Sequence, residues 1–482
     1  MDEELDKTCN RKFGFKYADI DPQTQVRLLR LSPYHVRLRN FRFNLETFNL
    51  SDLHSIRYSA LSYTWGHATS IDDIYEIAID DQPFFVRRNL FDFLNTATGK
   101  GKSGFFFVDA ICINQLDSAE RVSQVREMAR VYRNATEVIA WLGYPGTEQD
   151  LDNIRSLGQE RDCSECAYWT KQQWAGFRYL SYHPYWTRIW IVQEVQLAKK
   201  IEVWCWYFTF PLALFKNVTL DTLPWRRKLK FSAKGRPHIE VDSISRSRSP
   251  AERIVNDRTR LVLRETDDPL AQGTLVGTLD EMVADLTRPH MIAQTYQSRV
   301  PDSLRQVVTK FGMLECSDPQ DKLYGFLGML KESRRAQVDI DYTKGVSYAY
   351  RQALKIGLEE IGGDYWAEVY HREPDVLYDM CLGYYCDARD AFGMGDDESM
   401  SILQQVITEL CDETKFEGDM YEFERRHPLL WNEADLRALL TFDKIMLYAA
   451  KLKEEEELLR NPPKRWRKIV SKGPLRKLLS NT

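Results

Sequence analysis

One stretch of the chain carries the clearest pattern of apolar and polar positions. Phe105 to Ile111 (FFFVDAI) is a short apolar run rich in aromatic and β-branched residues, interrupted by Asp109. It predicts a strand buried on both faces. Asn114, Gln115 and Asp117 follow as a polar turn, and Glu120 stands three positions after Asp117. That spacing predicts a helix opening on a capping box. Val122, Val125, Met128, Ala129 and Tyr132 then recur at helical spacing, and Asn134 marks the stop. Glu137 to Leu142 reads as a second buried strand, closed by Gly143. Strand, helix and strand on short connections predict a βαβ unit with parallel, neighbouring strands. Ligands of such sheets bind beyond the carboxyl ends of the strands, where Asp109, Asn114 and Gln115 fall.

The same reading extends outward. Residues 1–24 are expected to be a flexible lead-in. Val26–Arg30 and His35–Leu45 predict strands or loops on the domain edge. Ser59 to Trp65 predicts the first central strand, with its Ser62-Tyr63-Thr64-Trp65 tip at the carboxyl edge and Gly66 allowing the turn. Ile74 to Val86 alternates and breaks at Asp80-Asp81-Gln82-Pro83, as a hairpin does. Asn89 to Ala97 predicts a short helix capped by Asn89, and Trp169 to Tyr182 another. Tyr185 to Ala198 is apolar on nearly every side, as a buried helix is, so Arg188, Gln193 and Glu194 stand out within it. Ile201 to Phe208 predicts the last strand. The domain is thereby bounded at 25–220.

An Arg/Ser-rich stretch, 221–270, is expected to be an exposed linker. Helical patterns at 275–286, 303–314 and 346–360 predict a mostly helical companion region over 271–450. From Arg460 the chain carries eight lysines or arginines and no acid. This basic tail, 451–482, is expected to be disordered, to touch a membrane surface or to carry a nuclear signal.

Composition narrows the class. The chain has 482 residues and a net charge of −5, which suits two or three domains and offers no general case for nucleic acid. Nine cysteines without a framework spacing fit reduced thiols in the cytosol or nucleus. Cys163 and Cys166 form a lone CxxC, short of the four ligands that structural zinc takes, so no metal is expected. No run of about 18 apolar residues predicts a membrane span.

Three blocks carry a family resemblance: Tyr58–Gly66 (YSALSYTWG), the Phe105–Gly143 stretch, and Tyr185–Ala198 (YWTRIWIVQEVQLA). In this order they resemble the fungal heterokaryon-incompatibility (HET) domain. The resemblance implies an α/β fold related to the TIR domain: a flavodoxin-like parallel sheet, here with insertions. It also implies a part in self/non-self recognition, a form of innate immunity that ends in programmed cell death. TIR domains that cleave NAD⁺ carry a WxxxE pattern with a catalytic glutamate, and Trp190-Ile-Val-Gln-Glu194 resembles it. Residues four apart share a helix face. A carboxylate near the ribose can stabilise the oxocarbenium-like centre formed when the nicotinamide bond breaks.

The resemblance therefore implies Glu194 as catalytic residue. Ser62, Tyr63, Thr64, Trp65, Gly66, Asp109, Asn114, Arg121, Arg188 and Trp190 would be the surrounding substrate-binding residues. NAD⁺ would be a substrate, with no bound cofactor. Self-association and an incompatibility partner protein are expected. Three alternatives stay open. Glu194 serves a structural ion pair with Arg188 or Arg121, the domain is a non-catalytic signalling adaptor that acts by assembly, or the chain is a nucleic-acid-associated regulator that uses its two basic arms.

Overall fold

The computed structural model describes residues 5–31, 42–158, 169–215, 249–251, 254–255, 303–367 and 374–412. Cys163 and Cys166, the expected helix at 275–286 and the basic tail lie outside them. The chain divides into two compact units, the first reaching residue 255 and including Leu314–Asp341, the second holding 303–313 and the residues after 341.

The first unit opens with α1 (Leu5–Phe13), β1 (Gln25–Leu31) and β2 (Arg42–Asn49). β3 (Tyr58–Tyr63), β4 (Ile74–Ile79), β5 (Gln82–Arg87) and α2 (Arg88–Gly99) follow. Next come β6 (Gly104–Phe107), the single turn α3 (Asp109–Cys112), α4 (Ser118–Asn134) and β7 (Glu137–Trp141). α5 (Glu148–Leu157), α6 (Lys171–Ser181), α7 (Ile191–Gln196), β8 (Ile201–Cys205) and β9 (Phe208–Pro211) complete the run.

Among the described residues, nine strands form a mixed sheet in the order β5-β4-β2-β1-β6-β3-β7-β8-β9. β6, β3, β7 and β8 are mutually parallel and form its centre. β1 pairs antiparallel with both β2 and β6, so the segment expected at the edge runs inside the sheet. The strands expected to be neighbours across α4 are not paired. β3 lies between them, matching Ala60 to Phe107 on one side and Ala60 to Val138 on the other. Both faces of β3 are covered: Ala60, Leu61, Ser62 and Tyr63 are all buried. A strand so apolar requires a partner at each edge as well.

Several boundaries differ from the sequence reading, each for a local reason. β6 stops at Phe107 because Asp109 opens a turn whose carboxylate binds the Ala110 amide at 2.7 Å. The hairpin β4–β5 turns on Asp80 and Asp81, both left-handed (φ 50° and 60°), a region that aspartate tolerates. The strand expected over 201–208 ends at Cys205 as β8, and the chain reverses at Trp206 (φ 52°) into antiparallel β9. The block 185–198 is not one helix: a 3-10 turn, Pro184–Thr187, precedes an extended Arg188, and α7 starts only at Ile191.

α1 occupies part of the expected flexible lead-in. Asp6 pairs with Arg87 at 3.0 Å, and Asn10 binds both the amide and the carbonyl of Phe85. Ala251, Ile254 and Val255, within the expected exposed linker, are buried apolar residues. Ile254 takes a hydrogen bond from Gln196 at 2.8 Å.

The second unit is helical where described: Leu304–Phe311, Val346–Ala367, Pro374–Phe392 and Asp396–Asp412. Buried Glu360 accepts from the Leu304 and Arg305 amides, which leaves two otherwise orphaned helix donors satisfied. Among the described residues no helix is long and apolar enough to cross a membrane.

Candidate functional site

The three sequence blocks meet at one buried polar cluster. Ser62 of β3 points to one face of the sheet and Tyr63 to the other, as alternate strand residues do. The Ser62 hydroxyl donates to Glu194 Oε2 and also bonds the Tyr185 hydroxyl. Tyr132, from α4, donates to the Leu61 carbonyl at 2.8 Å and lies within hydrogen-bonding reach of Glu194. Arg188 donates to the Tyr63 carbonyl at the strand tip. Glu194 is 3 % exposed and Ser62 fully buried.

Burial pushes the Glu194 carboxyl up to about 7, against the opposing pull of Arg188 and the Ser62 hydrogen bond. The donor inventory agrees with that direction. A tyrosine has one proton, and Tyr132 gives its own to Leu61. A protonated Glu194 can donate to the Tyr132 oxygen, whereas a carboxylate finds no second proton there. Burial likewise raises the Tyr185 hydroxyl. His183 is pushed down to about 4 by burial, and its Nδ1 accepts from the Tyr185 amide at 3.1 Å, so it serves the turn as a neutral cap.

On the other face, around the carboxyl ends of β3 and β6, Trp65 Nε1 donates to Asp109 at 2.9 Å. Burial raises the Asp109 carboxyl, while the Trp65 bond and Arg188 oppose the rise. A cleft beside this pair is lined by Tyr63, Trp65, Asn114 and Gln115 with α1 and β5 residues. Arg87 and Lys7 stand over the Trp65 ring at 5.3 and 5.6 Å. Of the predicted binding residues, Tyr63, Trp65 and Asn114 border this cleft; Ser62, Arg188, Trp190 and Glu194 do not line it. Arg121 sits half-buried in the first turn of α4. Arg188 is the cation that acts on both Glu194 and Asp109.

Trp190 and Glu194 have separate partners. Trp190 Nε1 donates to Asp321 at 3.0 Å, while Glu194 turns to Ser62. Gln193, between them, accepts from the Gly328 amide at 2.9 Å. The downstream segment 314–330 is thus stitched to the third block, also by Ile189 N to the Glu315 carbonyl.

Two residues of consequence carry no sequence signal for the roles they play. Asn89, expected to be a helix cap, lies inside α2. It donates to the Thr64 carbonyl at 2.6 Å and accepts from Trp141 Nε1 at 2.9 Å, tying the tip of β3 to that of β7. Gly66 (φ +80°) and Gly143 (φ +82°) turn the chain away on either side of it. Arg27 is 2 % exposed in β1 and grips Glu120 at 2.6 Å. Its guanidinium also donates to the Ala18 and Cys112 carbonyls. Glu120 accepts in addition from the Asn114 amide, so it fixes the turn before α4, while Asp117 alone caps the helix.

Residues 58–194 match the family Heterokaryon incompatibility protein (HET). Heterokaryon incompatibility protein 6, OR allele, of Neurospora crassa is 32 % identical over 163 residues, or 30 % of this chain. The match spans 23 % of that relative's length. No solved structure matches the chain. The match begins at Tyr58, where β3 starts, and ends at Glu194, so the buried cluster is built within its bounds. Over residues 58–194, therefore, the chain carries a segment similar to the heterokaryon incompatibility (HET) domain.

Proposed function

We propose that the chain acts in heterokaryon incompatibility, as an effector of self/non-self recognition that ends in regulated cell death. The observation that carries this reading is the convergence of all three HET blocks on Ser62, Tyr132, Tyr185, Arg188 and Glu194. The related protein's name supports it. A TIR-like architecture is part of the proposal. The parallel strands β6-β3-β7-β8 run second, first, third, fourth in chain order, as flavodoxin-like sheets begin.

In the closed arrangement the domain acts by assembly with copies of itself or a partner, since Glu194 is sealed among hydroxyls. A second reading is hydrolysis of NAD⁺ to nicotinamide and ADP-ribose. It is favoured by a carboxyl poised near 7 in a water-poor setting, a property that clusters at functional sites. The bond to nicotinamide would break with its electron pair leaving on the neutral nicotinamide; water would add to the ribose carbon and lose its proton to solvent, and Glu194, ionised once the site is open, would stabilise the positive charge that develops there. That chemistry requires assembly to open the cluster, a population shift that must be driven by differential binding.

The test is NAD⁺ turnover by purified full-length protein at high concentration, with and without crowding agent, beside toxicity of Glu194→Gln in cells. Loss of both in the variant supports hydrolysis. Toxicity that persists while NAD⁺ stays intact rules hydrolysis out and leaves assembly. A wild-type chain that neither kills nor consumes NAD⁺ overturns the effector role.

A further inference from the structure

Arg126, Arg130 and Arg133 follow one another on α4 at four- and three-residue spacing, so they lie along one helix face. Arg335 ends the short helical turn Glu332–Arg335 and lines the same space. Both elements belong to the first unit. The space between them is a cavity of about 470 Å³, within the range of small-molecule sites.

Its two acids are Glu127 and Glu332, against four arginines, so the cavity carries a local excess of positive charge in a chain of net −5. Glu127 is engaged by Arg130 at 3.3 Å and Glu332 by Arg335. Arg126 is held in place by its bond to the Val338 carbonyl at 3.0 Å. Burial lowers the Arg335 pKa, and the nearby Arg130 and Arg126 lower it further while Glu127 opposes them. Like charges gathered round an open space repel. The helix macrodipole accounts for Arg133 in the last turn of α4, but not for Arg126 two turns earlier or for Arg335 on another segment.

We propose that this cavity binds a multiply phosphorylated small molecule, its phosphates gripped by Arg126, Arg130, Arg133 and Arg335. Guanidinium groups meet phosphate oxygens in paired hydrogen bonds, which gives both strength and geometry. Several guanidiniums around one space call for several anionic groups. Among the described residues no aromatic side chain lines the cavity, so none of them stacks on a base there. Recognition rests on the phosphates, and a nucleotide has no advantage over a base-free polyphosphate.

The test is calorimetric titration of the full chain at about 0.15 M salt, where surface steering is largely screened. The probes are tripolyphosphate, ATP and inorganic phosphate, with flotation on vesicles that contain phosphatidylinositol bisphosphate as a separate arm. Tripolyphosphate should bind at least as well as ATP, and both more tightly than inorganic phosphate. Arg130→Gln combined with Arg335→Gln should weaken the polyphosphates by about tenfold or more, as loss of more than 1.4 kcal/mol does. The exposed single variant Arg133→Gln should weaken them less and keeps the test open if the double variant fails to fold. Variant-sensitive binding of the soluble probe assigns a soluble ligand; variant-sensitive binding of vesicles assigns a lipid headgroup of the same chemistry. Binding in both arms that ignores the substitutions, as the basic tail alone would give, overturns the proposal. So does ATP binding without tripolyphosphate binding.

Discussion

Glu194→Gln exchanges a buried carboxyl for an amide of the same shape, and its effect on stability should depend on pH. In the unfolded chain the carboxyl ionises near 4.5; in the folded protein burial holds it near 7. The folded state therefore binds the proton more tightly between those values. This contribution is fully present below 4.5 and is lost as pH rises through 7. At about 1.4 kcal/mol for each pH unit, the rise from 4.5 to about 7 corresponds to roughly 3 kcal/mol. Glutamine has no proton to lose, so the variant lacks this slope. Relative to wild type it should gain roughly 3 kcal/mol between pH 4.5 and pH 8. Urea unfolding across that range measures the difference, and amide exchange at Leu61 and Ser62 confirms that the first unit is the one followed. A difference that stays flat with pH, or that falls, would show that Glu194 is held as a paired carboxylate. The raised carboxyl and the reasoning from the hydroxyl inventory would then both fail.

Three further outcomes follow from the packing. Arg27→Met leaves Glu120 buried without its cation and should cost about 3–5 kcal/mol in urea unfolding, far above an exposed arginine change. Gly328→Ala would place a Cβ 2.3 Å from Gln193 Oε1 and 2.4 Å from Ala129 Cβ, so the third block and α4 must shift. A loss of about 1–3 kcal/mol is expected, and an unchanged melting temperature would show the contact to be slack. His183 is held neutral, its folded pKa near 4 lying below the ordinary 6.5, so its contribution is present above 6.5 and lost as pH falls through 4. Its ring resonances should not titrate between pH 5 and 8.

What the sequence revealed was local. The apolar run of β3, the aspartate turn of the β4–β5 hairpin and the Asp117 cap of α4 each depend on residues a few positions apart. Propensity and spacing carry such information. Strand neighbours are another matter. Periodicity says that β6 and β7 are buried, but not that β3 lies between them, because every strand of a parallel centre presents the same apolar pattern. Arg27 reads as a solvent-facing break in QVRLLRL; its partner Glu120 stands 93 residues away. Asn89 had a good local explanation as a cap, and that concealed its bonds to Thr64 and Trp141.

The third block shows the same limit at the site itself. Its apolar composition reads as a continuous helix, in which Trp190 and Glu194 would share a face. The chain instead stays extended at Arg188, whose guanidinium reaches back to the Tyr63 carbonyl. Ile189 and Thr187 spend their backbone groups on Glu315 rather than on a helical turn. At Thr187 and Ile189 those bonds replace the ones a helix would have made. Because α7 starts only after it, Trp190 is free to meet Asp321 while Glu194 enters the Ser62–Tyr185 cluster. The tryptophan and the glutamate thus act through different parts of the fold. A variant at Trp190 should disturb the docking of 314–330, measured as faster amide exchange at Gly328. It should leave the Glu194 pH profile in place. If Trp190→Phe instead flattened or shifted that profile, the two residues would belong to one site after all.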